Sequence, residues 1–155
     1  MAGDKQSFST NQEGRFMVAM GAIIENTKTG KILLAKRHSK NSAFPDLWED
    51  ITGRMKQFEE PEEGLRREVK EETGLDITEI VKPLTVFHFF RGEEVPELEV
   101  IGMVFWVKTD QEEVTISQEH QEFRWLTPQQ ALELVDHPGI TRDIQAFIHE
   151  KSKEN

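Results

Sequence analysis

GRMKQFEEPEEGLRREVKEETGL, residues 53–75, is the stretch on which the reading of this chain turns. Pro61 suits the first turn of a helix, where its missing N–H has no partner to lose. From there PEEGLRREVKEET is helical in composition, and Gly74 supplies the left-handed residue that ends a helix. Glu68, Glu71 and Glu72 then lie at i, i+3 and i+4, so the helix projects three carboxylates from one face. Like charges at this spacing destabilise a helix by about 0.2–0.5 kcal/mol per pair. Taken as a bare triplet they are most simply a solvated acidic face. They are also a ready set of oxygen ligands for a hard cation such as Mg²⁺, which keeps waters and leaves room for phosphate oxygens. Arg67 can brace the carboxylates by bidentate pairing, and Glu59 can reach the same region from the preceding loop.

Outward from this segment the pattern is a mixed sheet with helices, an α+β chain. Arg15 to Asn26 is apolar and rich in strand formers, Thr27 to Gly30 reads as a turn, and Lys31 to His38 reads as a returning strand. Residues 39–50 read as a loop, and Ile51, Thr52 and Gly53 as the end of a short strand. Downstream, residues 79–90 and 97–108 are strand candidates joined by the polar RGEEVPE, with GMVFWVK at 102–108 the most apolar part. Phe123 to Leu126 is a short strand. Thr127, Pro128 and Gln130 make a capping-box start for a helix to about Val135. Ile140, Ile144, Phe147 and Ile148 recur at helical spacing and give an amphipathic C-terminal helix. Residues 1–13 are polar and aperiodic and read as a loose arm, which leaves residues 14–153 as one domain without internal repeats.

The chain's 155 residues suit one domain with a real core. A net charge of −10 argues against a general nucleic-acid binder, which needs a basic face. It also means that a phosphate-bearing substrate would have to be held through cations. With no cysteine, thiolate metal sites and disulfides are excluded. The longest apolar runs, such as Val18 to Ile24, are too short to span a bilayer. No charged start followed by an apolar stretch marks a secretory signal. A cytoplasmic location without membrane attachment is therefore expected, and the cysteine-free composition is compatible with it.

The segment from Gly53 to Leu75 resembles the Nudix box, G-x5-E-x7-R-E-U-x-E-E-x-G-U, where U is a bulky apolar residue. Gly53, Glu59, Arg67, Glu68, Glu71, Glu72 and Gly74 occupy every fixed position, and Val69 and Leu75 the apolar ones. At average residue usage a chance match is roughly below one in a million. The general resemblance extends over about residues 15–150. It implies an α/β/α sandwich, with a mixed β-sheet between helices and the box as loop–helix–loop. It also implies hydrolysis of a nucleoside diphosphate linked to another group. On the same ground Glu68, Glu71 and Glu72 are expected to ligate Mg²⁺ or Mn²⁺, with Glu59 and Arg67 in support and Gly53 allowing a tight backbone approach. Such ions neutralise a diphosphate and orient and acidify an attacking water, and in-line displacement needs mostly positioning and charge stabilisation. Two positions depart from many members: Arg54 and Phe58 stand where glycines are common.

Proteins that resemble this one often take a further carboxylate from a loop downstream of the box. The candidates are Glu119 and Glu122 in SQEHQEFRWL, and Glu119 is favoured as catalytic group and ligand beside Glu71 and Glu72. That run is similar to one found in dinucleoside-polyphosphate and deoxynucleoside-triphosphate hydrolases of the family. Arg37 offers a fork for substrate phosphate, or is an ordinary surface arginine. Trp48 and Phe44 could stack on a base, with packing the competing role. His120 reads as structural or exposed, and Trp106 and Trp125 as core. A small-molecule nucleotide is the expected partner, and a homodimer is compatible with the resemblance. The competing functions are a nucleotide-binding sensor, which should have lost box glutamates, and a Nudix-fold isoprenoid diphosphate isomerase, which should carry a cysteine.

Overall fold

The computed structural model describes residues 13–40 and 43–154. The polar N-terminal stretch expected to form a loose arm lies, up to residue 12, outside the described residues.

The centre of the sheet is β1 (Met17–Asn26), whose last eight residues are buried without interruption. A strand reads this way when both faces of its sheet are covered. It runs parallel to β6 (Glu99–Thr109), in register from Met17↔Val100 to Asn26↔Thr109. On its other side it pairs antiparallel with β4 (Ile51–Arg54), from Ala19↔Arg54 to Ala22↔Ile51. Only its far tip meets β2 (Ile32–Arg37), at Glu25↔Ile32. β2 in turn pairs with β3 (Trp48–Glu49) and β7 (His120–Leu126), and β5 (Glu79–Phe90) lies outside β6. The sheet is mixed and seven-stranded.

Side chains alternate across it, as the two-residue period of a strand requires. Met20, Ala22 and Ile24 of β1 join Leu33 and Ala35 of β2 in a core closed by Leu65 and Val69 of α1 (Pro61–Thr73). Ile23, Ile32 and Leu34 point the other way. They meet Ala131 of α2 (Pro128–Leu134) and Ile140, Ile144 and Phe147 of α3 (Pro138–Ser152). The result is the expected α/β/α sandwich.

Several boundaries follow from the local chemistry. Gly74 ends α1 in the left-handed region, φ 74°, and its N–H donates to the Lys70 carbonyl. Thr127 and Gln130 form the capping box of α2 with both hydrogen bonds made. Two expectations need correction. The loop at 39–50 contains the two-residue strand β3, and β7 starts at His120 rather than Phe123. Both differences arise from pairing with β2, through Lys36↔Trp48 and Arg37↔His120.

Trp106 is fully buried, edge-on to Phe147 with ring centroids 5.3 Å apart. Its indole N–H donates to Glu25 Oε1 at 3.2 Å, and Lys151 of α3 reaches Glu25 Oε2 at 3.0 Å. The aromatic pair thus closes the α3 face of the core. Phe147→Ala removes that closure and should cost about 3–5 kcal/mol. For a chain of this length that lowers the melting temperature by about 6–20 °C. Calorimetry checks it, and a drop below about 2 °C contradicts the role given to α3.

Candidate active site

Arg67 is the hub of the box. Its Nε donates to Glu59 Oε1 at 2.5 Å and its Nη2 to Glu59 Oε2 at 2.9 Å, a bidentate fork. Nη2 also donates to the Arg54 carbonyl at 3.0 Å. Nη1 donates to Glu68 Oε1 at 2.7 Å and to Glu71 Oε2 at 3.2 Å. Glu59 Oε2 further accepts the Lys56 backbone N–H at 2.9 Å. The hydrogen bonds from Arg67, then that from Lys56, lower the Glu59 carboxyl pKa to about 2.

Two glycines make the packing possible. A Cβ on Gly53 would occupy the place of the Glu68 carboxylate. A Cβ on Gly64, inside α1, would come to 2.9 Å from Glu59 Oε2. Glu68 is therefore held against the backbone of β4, buried at 9% exposure. Burial raises its pKa, Arg67 opposes the rise, and the charges of Glu71 and Glu72 add to it.

Glu72 faces a second network. Its Oε2 accepts the Ser117 hydroxyl at 2.5 Å and lies 3.4 Å from His120 Nδ1. His120 Nε2 is 3.0 Å from Glu49 Oε1, and Arg37 Nη1 donates to that same oxygen at 3.0 Å. Burial works against a charged imidazole, but the Glu49 and Glu72 carboxylates on either side prevail and raise the His120 pKa to about 9. The ring is an imidazolium at neutral pH. Burial also opposes ionisation of Glu72, yet His120 and Ser117 hold its pKa below the ordinary value.

The box residues Gly53, Glu59, Arg67, Glu68, Glu71 and Glu72 all line one cleft of about 1770 Å³, together with Arg37, Phe44 and Glu119. Trp48 and Glu122 are not brought to it. Trp48 packs on the α3-side core with the Arg124 guanidinium 4.7 Å from its ring centroid, and Glu122 pairs with Arg124 at 3.0 Å. Arg37 lines the cleft with one fork nitrogen committed to Glu49 and Nε donating to the Ala43 carbonyl.

Glu49, Ser117 and Gly64 were not singled out by sequence. Gly64 did carry a signal, since glycine inside a helix costs about 1 kcal/mol relative to alanine. Asp50 and Asp143 also escaped notice. Both are buried at the cleft wall, Asp143 accepting the Thr85 hydroxyl at 2.6 Å. Burial first, then the neighbouring Asp143 carboxylate, raises the Asp50 pKa well above its ordinary value. Two aromatic residues at the rim hold left-handed backbone, Phe44 at φ 51° and Phe58 at φ 67°. That conformation costs an L-residue about 1–2 kcal/mol.

Among the described residues no three His, Asp or Glu side chains already converge as a metal cage. The carboxylates are instead turned to Arg67, Ser117 and His120. The donor set is nevertheless all oxygen, the kind a hard divalent cation takes, and the space left by Gly53 seats Glu68 at the cleft wall.

The NUDIX domain model matches residues 15–146, and the chain belongs to that family as a Nudix pyrophosphohydrolase, an enzyme that splits a diphosphate linkage in nucleotide derivatives. Nucleoside triphosphatase NudI of Enterobacter sp. (strain 638) is 33% identical over 127 residues, covering 77% of this chain and 87% of that one. An octanoyltransferase of Myxococcus xanthus is 30% identical over 131 residues, and the match spans 83% of this chain but 35% of that protein. The crystal structure of a MutT protein from Methanosarcina mazei Go1 superposes with a TM-score of 0.71 at 26% identity, over 93% of this chain and 99% of that one. Among the described residues no helix is long and apolar enough to cross a membrane.

Two outcomes test this geometry. Gly53→Ala displaces the Glu68 carboxylate, and a displacement of that order should lower kcat/KM about 100-fold; activity within threefold of wild type contradicts it. The His120 pKa, raised from 6.5 to about 9, makes the charged network fully stabilising below pH 6.5 and progressively lost as pH rises through 9. With a chelator present, the melting temperature of wild type should fall across that window, and that of His120→Gln should fall less.

Proposed function

We propose that the chain hydrolyses a nucleoside diphosphate derivative to a nucleoside monophosphate and a phosphorylated remainder, by water attack on phosphorus at the α1 carboxylates. One domain, residues 14–153, would carry the whole site. The observation that carries the reading is the seating of Glu68 against Gly53, with Arg67 fixing Glu68 and Glu71 on the same helix face.

Glu68, Glu71 and Glu72 would hold Mg²⁺ or Mn²⁺, with Glu119 at the cleft rim as a further ligand or as the base. When bound, such an ion neutralises the diphosphate and lowers the pKa of a water. The chain's own residues account for the rest. Arg67 keeps Glu68 and Glu71 apart from free rotation and offsets their mutual repulsion. Ser117 and His120 hold Glu72 as an anion whose position is set before substrate arrives. Arg37, positioned by Glu49 and the Ala43 carbonyl, presents its remaining donors toward phosphate oxygens.

Incubation with Mg²⁺ and a panel of nucleoside diphosphate derivatives tests the proposal. Cleavage should stop on addition of a chelator, and Glu72→Gln should lose at least about 100-fold in kcat, the size found when one charge-stabilising group is removed. Glu119→Gln should lower kcat, while Glu122→Gln, outside the cleft, should not. No turnover anywhere in the panel, with tight nucleotide binding, would replace the hydrolase with a nucleotide sensor.

A further inference from the structure

We propose that the outer half of β5, residues 85–90, pairs antiparallel with the same stretch of a second copy of this chain, joining the two sheets across a two-fold axis beside the cleft.

β5 is the last strand on its side of the sheet, and among the described residues no further strand pairs with its outer edge. An open edge is a row of unpaired backbone donors and acceptors, a template for another strand. The two halves of β5 meet this hazard differently. In the first half the register against β6 shifts between Ile80 and Lys82 and again between Pro83 and Thr85. Bulges, a proline and a lysine are the usual means of blunting an edge, and all three fall within residues 80–85. From Thr85↔Val104 to Phe90↔Glu99 the ladder then runs six residues without a shift. Its sequence, TVFHFF, has no Asp, Glu, Lys or Arg and consists mostly of strand formers. His88 is bound to Glu99 at 2.7 Å. Natural sequences interrupt such a run with a charge where it must face solvent.

The side chains beside this edge are also bare. Val86 stands opposite Met103 and is 65% exposed. Ile101 stands opposite His88 and in register with Val18, so the row continues across β6 to β1. Met20 and Met103 belong to the core under α1. The two-residue period of a strand therefore puts Val86, Ile101 and Val18 on that same face. Val18 and Ile101 are both exposed, and Phe89 is exposed on the opposite face. An apolar row contiguous with an open strand marks an association surface.

The charges at the two ends of the ladder fit a second copy. One end carries Lys82 with Glu150 bound to it at 2.8 Å, and the other carries Arg91 and Glu93. Antiparallel pairing sets these unlike ends together, Lys82 toward Glu93 and Glu150 toward Arg91, twice across the axis. Parallel pairing would set like ends together. A two-fold contact is self-complementary in this way. Pairing centred on Phe87 or His88 also keeps the α1 faces of both sheets on one side, so Val86 of one copy meets His88 or Phe90 of the other. Both open edges are consumed at once, and none is left to recruit a third chain. Residues 87–92 line the cleft as well, so each copy borders the space in which the other holds its ligand.

Sedimentation equilibrium measures the association, and amide hydrogen exchange locates it. Wild type should sediment at twice the chain mass, with the amides of residues 85–90 protected. Val86→Lys acts twice across the axis and should raise the dissociation constant roughly tenfold. Val86 is mostly solvated in the single chain, so the circular dichroism of the variant should match wild type. Glu93→Lys lies outside the strand and should weaken the dimer in the same direction. A monomer at every concentration overturns the proposal. So does a dimer whose dissociation constant neither variant changes, or one in which residues 85–90 exchange as freely as in the dissociated chain.

Discussion

One guanidinium holds the box together. Glu59 in the loop and Glu68, Glu71 and Glu72 on α1 bring negative charge to the same cleft wall, and without a counter-charge they would drive the loop and α1 apart. Arg67 answers with donors to three of them and to the Arg54 carbonyl, so a single planar fork joins β4, the loop and α1. A lysine could neutralise the charge but could not divide it among fixed directions. Gly53 and Gly64 follow from the same constraint, since carboxylates drawn this tightly around one cation leave no room for a Cβ beside them.

The sheet supplies what the box cannot. β1 is buried along most of its length because α1 covers one face and α3 the other. β4, paired antiparallel to β1, delivers Gly53 to the cleft wall with the α1 glutamates on one side. Glu49 and Asp50 arrive just before it, where β3 is held by β2. The cleft is thus a by-product of short strands leaving β1 where β2 has diverged, and its polar wall is made from residues that no single element contributes.

Legibility in the sequence tracked the range of the interactions. The helix at Pro61–Thr73 was readable to the residue, because its proline start, glycine end and glutamate spacing are all local. The capping box at Thr127 and Gln130 was equally local. The strand at Trp48–Glu49 was not, since a two-residue strand exists only through its partner in β2. The same holds for the chain of contacts from Arg37 through Glu49 and His120 to Glu72. His120 read as an isolated histidine, and nothing local shows that pairing Arg37 with His120 will bury it between two carboxylates. Trp48 was legible as an aromatic near the box but not as one turned to the far core under Arg124. Phe58 was visible as a departure from a common glycine, while its backbone conformation and exposure belong to the folded loop alone.

The connection between β6 and β7 is ten residues without regular structure, yet it is pinned along its length. Gln111 accepts from Asn26 and Asp76, Glu112 accepts the Trp125 indole, and the N–H groups of Thr115 and Ser117 donate to the Thr73 and Glu72 carbonyls at the end of α1. Those carbonyls would otherwise be among the unsatisfied acceptors that every helix leaves at its end. The segment that carries Ser117 and Glu119 is therefore not a lid waiting for a ligand. Its conformational entropy is surrendered when the chain folds, so association with substrate need not supply it, and the rim presents the same contour to every molecule that arrives.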